Sequence, residues 1–284
     1  MAGKKHQKHQ KQTPSFSLEK APTGIEGLDA LTGGGIPRGR ITLVAGASGS
    51  GKTVLGMEFL VRGAALHGEP GVFVSFEESE EDLAANFASM GFDLPGLVSE
   101  GKLFIESIDV APGLVLEAGQ YDLEGLFARL EHAIEAVGAR RVILDAAASL
   151  FHGLTDAAAV RTALSRLFLW LKARGITSVV TVESETDLAR QGLGRSLSDC
   201  IVLLSTTVAR RIATRYLRIA KYRGSPHQRD EFPFLISGRG ISVLPLTSVE
   251  SDYGVSAERI STGTTGVLPC SGQSANPLAS HRGV

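Results

Sequence analysis

The 284-residue chain holds only two cysteines, Cys200 and Cys270, and a single tryptophan. Two thiols far apart supply neither a disulfide framework nor a zinc cluster, and Cys200 lies in the apolar run Cys200-Ile201-Val202-Leu203-Leu204, where it reads as a small core residue. No uninterrupted apolar run approaches the ~18 residues that a membrane-spanning helix needs. The Lys- and His-rich beginning has no apolar segment of the signal-peptide kind, so a cytoplasmic protein without membrane contact is expected. Charge of one sign is not in excess either: 29 Lys and Arg against 30 Asp and Glu leave a formal net charge of −1. Whole-chain electrostatics therefore give no reason to expect nucleic acid as a partner, and any such case rests on local patches.

Periodicity is missing at both ends. The segment MAGKKHQKHQKQTP is polar and basic, and beyond about Thr247 the chain turns Ser-, Thr- and Gly-rich. Residues 1–14 and 248–284 are expected to be loose tails around one domain at 15–247. Within it, apolar runs at Ile41 to Ala45, Val72 to Phe76, Leu103 to Ile105, Arg140 to Asp145 and Ile176 to Thr181 alternate with helical patterns. Continuous apolar strands separated by helices predict an α/β fold with a mainly parallel central sheet covered on both faces. From Cys200 onward, strands joined by short turns follow at 200–204, 216–222, 234–236 and 241–244, which predicts an antiparallel extension.

The chain is organised around Gly46-Ala47-Ser48-Gly49-Ser50-Gly51-Lys52-Thr53, which follows a strand and opens a helix. This is the P-loop pattern in full, and its strand–loop–helix setting distinguishes it from an ordinary glycine turn. Gly46, Gly49 and Gly51 let the backbone curl so that successive N–H groups, those of Ser48 and Ser50 included, face one phosphate. Lys52 supplies a cation for the β- and γ-phosphates. The Thr53 hydroxyl suits Mg²⁺, and Val54 begins the helix whose positive end faces the anion. ATP and Mg²⁺ are the ligands this implies.

Hydrolysis also requires carboxylates. Asp145 ends an apolar strand, the expected position of a magnesium-supporting acid, although a strand-end Asp can also cap a turn. Glu77 and Glu78 end the strand Val72 to Phe76, one as base and the other as orienter. They could alternatively belong to the acidic first turn of a helix together with Glu80 and Glu81. Strand alternation allows both to face one water only if the strand has already ended. Further on, Tyr216 to Gly224 alternates so that Leu217, Ile219, Lys221 and Arg223 share one face, and the two cations extend a buried line. They could stabilise γ-phosphate charge, as arginine-finger groups from a neighbouring subunit, or merely expose charge at a strand end.

With these residues assembled, the chain resembles the RecA-like ATPases of the KaiC type, the circadian-clock family, and in particular their N-terminal domain. The likeness is carried by Thr23-Gly24-Ile25-Glu26-Gly27-Leu28-Asp29 with Gly33-Gly34-Gly35, the P-loop, Ser75-Phe76-Glu77-Glu78-Ser79, the strand to Asp145, and Lys221-Tyr222-Arg223-Gly224-Ser225-Pro226-His227. It implies a RecA-type sheet, a homohexameric ring, and ATP at subunit interfaces. Glu77 and Glu78 would be catalytic, Lys221 and Arg223 would contact phosphate across the interface, and Ser89, Tyr222, Ser225, His227 and Ser237 would line the nucleotide. Gly238 departs from the family's acidic residue, and Ser184 stands where an arginine commonly follows Glu183. Arg259-Ile260-Ser261-Thr262-Gly263 echoes Pro22-Thr23-Gly24, yet no second P-loop follows, so a truncated or single-domain relative is expected.

The leading expectation is an Mg²⁺-dependent ring ATPase with a regulatory or signalling role and possible regulatory protein partners. Its rivals are a Ser/Thr kinase of the same family, a recombinase-like DNA-binding ATPase suggested by Arg210, Arg211, Arg215 and Arg218, and a scaffold that hardly hydrolyses nucleotide.

Overall fold

A computed structural model describes residues 18–108, 123–147, 149, 157–183 and 197–244 of the chain. Both expected tails, Cys270, the Arg259 segment and Ser184 lie outside the described residues.

The first described elements form a small ribbon, β1 (Lys20–Ala21) paired antiparallel with β2 (Ile36–Pro37), which encloses the short helix α1 (Leu28–Thr32). The Asp29 carboxylate fixes its entry by accepting from Thr23 N at 2.8 Å, Thr23 Oγ1 at 2.6 Å and Gly24 N at 2.9 Å. The triple glycine serves the close approach of two backbones: a Cβ at Gly35, whose φ is 121°, would lie 2.0 Å from Ala21 O.

The main sheet follows from fully buried runs. Strands β3 (Ile41–Ala45), β4 (Gly71–Ser75), β6 (Arg141–Asp145) and β7 (Thr177–Val182) are buried at every position, as parallel strands between two helical layers must be. With β5 (Leu103–Ser107), β8 (Cys200–Ala209), β9 (Ile212–Tyr222), β10 (Glu231–Ser237) and β11 (Gly240–Val243) they build one nine-stranded sheet in the order β11-β10-β9-β8-β3-β7-β6-β4-β5. Six strands are mutually parallel, and β9 to β11 extend the sheet antiparallel from the edge of β8.

Alternate strand residues feed two separate cores. On one face Val44, Phe73 and Ile143 meet α2 (Lys52–His67), α3 (Glu80–Ala88) and α4 (Leu94–Ser99). On the other, Leu43, Val74 and Leu144 meet α5 (Glu124–Val137) and α6 (Ala157–Ala173). Helix α2 is closed as expected by Gly68 at φ 61°, and α3 is capped by Ser79, whose Oγ accepts from Asp82 N at 3.1 Å. Met90, expected on the face of α3 with Leu83 and Phe87, lies in the turn after it, because the helix ends at Ala88.

The strand from Tyr216 differs from its expected alternation. The β8–β9 pairing passes from Ile201↔Lys221 to Val202↔Ile219, a β-bulge that leaves Ala220 as an extra residue. The buried line therefore runs Leu217, Ile219, Tyr222, and Lys221 and Arg223 turn to the opposite face.

Candidate active site

The loop between β3 and α2 rises at the carboxyl ends of the parallel strands. Gly46 N donates to Val182 O at 3.2 Å and Ser50 N to Ala47 O at 3.1 Å, which bends the loop over the sheet. Glycine is required at two positions: a Cβ at Gly46 would sit 2.6 Å from Leu204 O, and Gly51 holds φ 103° as the residue that opens α2. Lys52 Nζ folds back to donate to Gly46 O at 2.8 Å and Ala47 O at 3.2 Å. The ammonium is thus held within the loop that it serves.

Thr53 Oγ1, in the first turn of α2, donates to Asp145 Oδ2 at 2.7 Å, and the Thr181 hydroxyl donates to the other carboxylate oxygen. Asp145 is 8% exposed. Burial pushes its carboxyl above the usual range, opposed by the two hydroxyls and by Lys52. Asp145 also accepts at its backbone oxygen from Phe76 N at 2.8 Å, which ties the end of β6 to the end of the neighbouring β4.

Strand β4 stops at Ser75, so alternation no longer separates the two glutamates. Ser75 Oγ accepts from Glu78 N at 2.9 Å and Glu77 N at 3.4 Å, forming a turn, and both residues line the same cavity as the loop and Asp145. That cavity measures about 380 Å³. Ser149 Oγ donates to Glu77 Oε1 at 2.6 Å, and Asn86 Nδ2 to Glu78 Oε2 at 3.1 Å. The acidic first turn of α3 consists of Glu80, Glu81 and Asp82, so the pair at 77 and 78 stands before the helix and its cap.

Within the cavity Ser48, Gly49, Gly51, Lys52, Thr53 and Val54 meet Glu77, Glu78 and Asp145 as expected, while Ser50 is buried beneath the loop. Four further lining residues were not among the expected site residues: Ala146, which simply follows Asp145, and Glu183, Arg215 and Ile236. Glu183 follows the last residue of β7 just as Glu77 follows its strand, so the same strand-end reasoning would have found it. Arg215 lies two residues before buried Leu217, and backward extension of that alternation places it on the side of the loop. Ile236 carries no chemical signal. Arg218 lines a neighbouring cavity instead.

Other expected site residues lie elsewhere. Tyr222 pairs with Cys200, which pairs with Thr42 at the start of β3, so Lys221, Tyr222 and Arg223 occupy the opposite end of the sheet from the P-loop. Lys221 Nζ donates to Ser198 O at 2.5 Å, and burial together with neighbouring Arg223 lowers its pKa. Tyr222 donates to Gly35 O at 2.8 Å, Ser225 Oγ accepts from Lys20 Nζ at 2.8 Å, and His227 Nδ1 is 3.3 Å from Ser225 O. Ser89 caps the end of α3 and donates to Asn86 O at 2.7 Å, while Ser237 ends β10 and accepts from Arg239 N at 3.2 Å. These last two segments approach one another, since a Cβ at Gly91 would lie 3.0 Å from Gly238 O. One chain therefore contains two groups of expected nucleotide residues, at opposite ends of its sheet.

A family model for the KaiC ATPase matches residues 21–248. The chain belongs to the KaiC ATPase family. It is 51% identical over 250 residues to circadian clock protein KaiC2 of Synechocystis sp. (strain ATCC 27184 / PCC 6803 / Kazusa), covering 88% of this chain and 44% of that protein. It is 39% identical over 252 residues to KaiC3 of the same organism, covering 87% and 50%. The circadian clock oscillator protein KaiC of Synechococcus elongatus (strain ATCC 33912 / PCC 7942 / FACHB-805) is 40% identical over 250 residues, with 87% and 48% covered. The chain spans about half the length of these relatives. The mostly parallel sheet with a strand–P-loop–helix at its centre is the RecA-like architecture expected of a KaiC-family domain.

Proposed function

We propose that this KaiC-family chain binds and hydrolyses ATP with Mg²⁺ as a homohexameric ring, with nucleotide between subunits and a regulatory role of the clock type. The observation that carries the reading is the Thr53–Asp145 contact beside the Lys52 loop, with Glu77 and Glu78 opening into the same cavity. The donor set fits Mg²⁺. Thr53 and Asp145 offer hard oxygen atoms, and among the described residues no three His, Cys, Asp or Glu groups gather as a metal cage. That is the arrangement suited to a metal whose shell is completed by substrate phosphates and water. Bound Mg²⁺ would neutralise charge on the β- and γ-phosphates.

The protein's own groups divide the remaining work. Lys52 leaves the loop carbonyls for the phosphates, exchanging two neutral acceptors for an anionic one. Glu77, steadied by Ser149, and Glu78, steadied by Asn86, orient the attacking water and accept its proton as the γ-phosphorus separates from the bridging oxygen. Lys221 and Arg223 lie too far along the sheet to serve their own loop, so a neighbouring subunit's nucleotide is the phosphate available to them.

The test is complementation. Glu77→Gln with Glu78→Gln is expected to keep nucleotide binding and assembly while lowering turnover by about 10²-fold, the scale of a positioned base. Arg223→Ala is expected to lower turnover and ATP-dependent assembly without unfolding the chain. Mixed rings of the two should regain activity, because some interfaces then pair intact glutamates with an intact Arg223. Two inactive variants that remain inactive after verified subunit exchange would refute the interfacial site.

A further inference from the structure

Asp199 precedes β8 and is 1% exposed. Its backbone fastens two strands, donating to Ile41 O at 2.9 Å and accepting from Arg223 N at 2.8 Å. Its carboxylate lies 2.7 Å from Lys172 Nζ, 3.3 Å from Arg40 Nη1 and 3.6 Å from Arg223 Nη1. These cations come from α6, from the residue before β3 and from the residue after β9, elements that are distant in sequence. Lys221 adds a fourth cation, donating to the adjacent Ser198 O at 2.5 Å. Four positive groups thus surround one buried carboxylate.

A buried carboxylate has to stay paired, and removing its only partner is costly. Sharing by three cations changes that constraint: any one can leave while the other two continue to compensate the charge. Arg223 is the one placed to leave. Its contact is the longest of the three, and its side chain is 51% exposed against 36% for both Arg40 and Lys172. Its departure would also relieve the crowding of like charges.

We infer that Asp199 is a positioning residue for the interfacial phosphate contact, holding Arg223 in the free chain and keeping Arg40 and Lys172 as its partners when Arg223 turns to a neighbour's nucleotide. The inference rests on the interfacial reading proposed above. Arg40, Lys172 and Asp199 would then form the support on which the transferable cation is mounted.

Asp199→Asn removes the common counter-charge and leaves Arg223 unsteered. Turnover should fall about tenfold or more, while nucleotide binding at the chain's own P-loop is retained. The variant should regain activity when mixed with Glu77→Gln, Glu78→Gln subunits, as Arg223→Ala does. A subunit damaged throughout would fail on both of its faces, whereas this one should fail only on the face that serves its neighbour. A second variant, Arg40→Gln with Lys172→Gln, leaves Arg223 as the one remaining cation of the three paired with the carboxylate, beside Lys221 on the adjacent carbonyl. Arg223 is then held at home, so the ATP concentration giving half-maximal activity should rise severalfold in a protein that still melts cooperatively.

Wild-type turnover by Asp199→Asn, in a preparation where Arg223→Ala is impaired, would overturn the inference, as would a folded, nucleotide-binding Asp199→Asn that fails to complement. Should Asp199→Asn not fold, an unchanged half-saturation in the double variant would overturn it instead. Full activity of Arg223→Ala itself would identify the interfacial reading as the failure, and this inference would fall with it.

Discussion

Replacing Asp145 by Asn separates support of a bound metal from support of the fold. In the ligand-free chain the change is nearly isosteric. The amide oxygen can accept from Thr181, and the amide nitrogen can donate to Thr53 Oγ1, so both contacts survive in altered polarity. Two hydrogen bonds to a charged acceptor are weakened, but burial of a carboxylate at 8% exposure is relieved at the same time. The net change in unliganded stability should be no more than about 1 kcal/mol, or about 2–4 °C in melting temperature for a domain of this size. Binding should respond differently. At a free ATP–Mg²⁺ concentration of about 100 Kd, ligand stabilises wild type by about 2.7 kcal/mol, and a hundredfold weaker site retains about 0.4 kcal/mol. Thermal melting with and without ATP–Mg²⁺ should therefore show a ligand shift of about 5–11 °C shrinking to about 1 °C. The pH dependence has a defined sign. Because burial raises the folded-state pKa of Asp145, its ionisation costs stability at neutral pH, and protonation on acidification returns it. Wild type should gain on the Asn variant as pH falls through the raised value towards the ordinary carboxylate pKa, and the two should run parallel above it. Glu69 is held below the usual range, since hydrogen bonds from Arg38 and Arg141 outweigh its burial, and it titrates in the opposite sense but cancels in the comparison. An undiminished ligand shift, or an equal loss of melting temperature with and without ligand, would refute the assignment of Asp145 to the metal.

Lys52→Ala should abolish high-affinity ATP binding in calorimetric titration while leaving the melting temperature without ligand almost unchanged, because its folded-state partners are two exposed or half-buried loop carbonyls; unchanged affinity would remove the P-loop from the site. Gly27→Ala should cost at least about 3 kcal/mol, since its Cβ would meet Val243 O at 2.0 Å with φ at 80°, whereas Gly138→Ala, at φ 63° with open space, should cost about 1–2 kcal/mol. Equal effects in chemical denaturation would show that the close approach of Gly27 to β11 does not constrain the fold.

The site's local parts were legible because their determinants are local. The P-loop is a contiguous pattern, and strands buried on both faces read as apolar runs without alternation. Ser79 announced its helix by the acid three residues later. What escaped depends on pairing across the sheet. A period of two cannot reveal the extra residue at Ala220, so Lys221 and Arg223 were expected on the face that Tyr222 occupies. The outer half of the β8–β9 hairpin has left the core, and from Ser205 to Ile212 its exposed residues lose the apolar pattern that marks a strand. Thr181 and Ser149 gave no warning of their carboxylate partners, being ordinary hydroxyls until the chain folds. The ribbon of β1 and β2 has two residues in each strand, too short for any period to show.

Strand β9 spans 11 residues, about 35 Å of extended chain, and its two ends have different neighbours. Arg215 near its beginning borders the P-loop cavity, and Arg223 just beyond its end belongs to the group proposed to serve the next subunit. Pairing with β8 along almost its whole length makes it a stiff member with little freedom to stretch. In a closed ring of such chains, each site would be joined to the following one by a single hydrogen-bonded rod. Occupancy at one position would then be felt at the next as a small axial displacement, and turnover around the ring would be cooperative by construction.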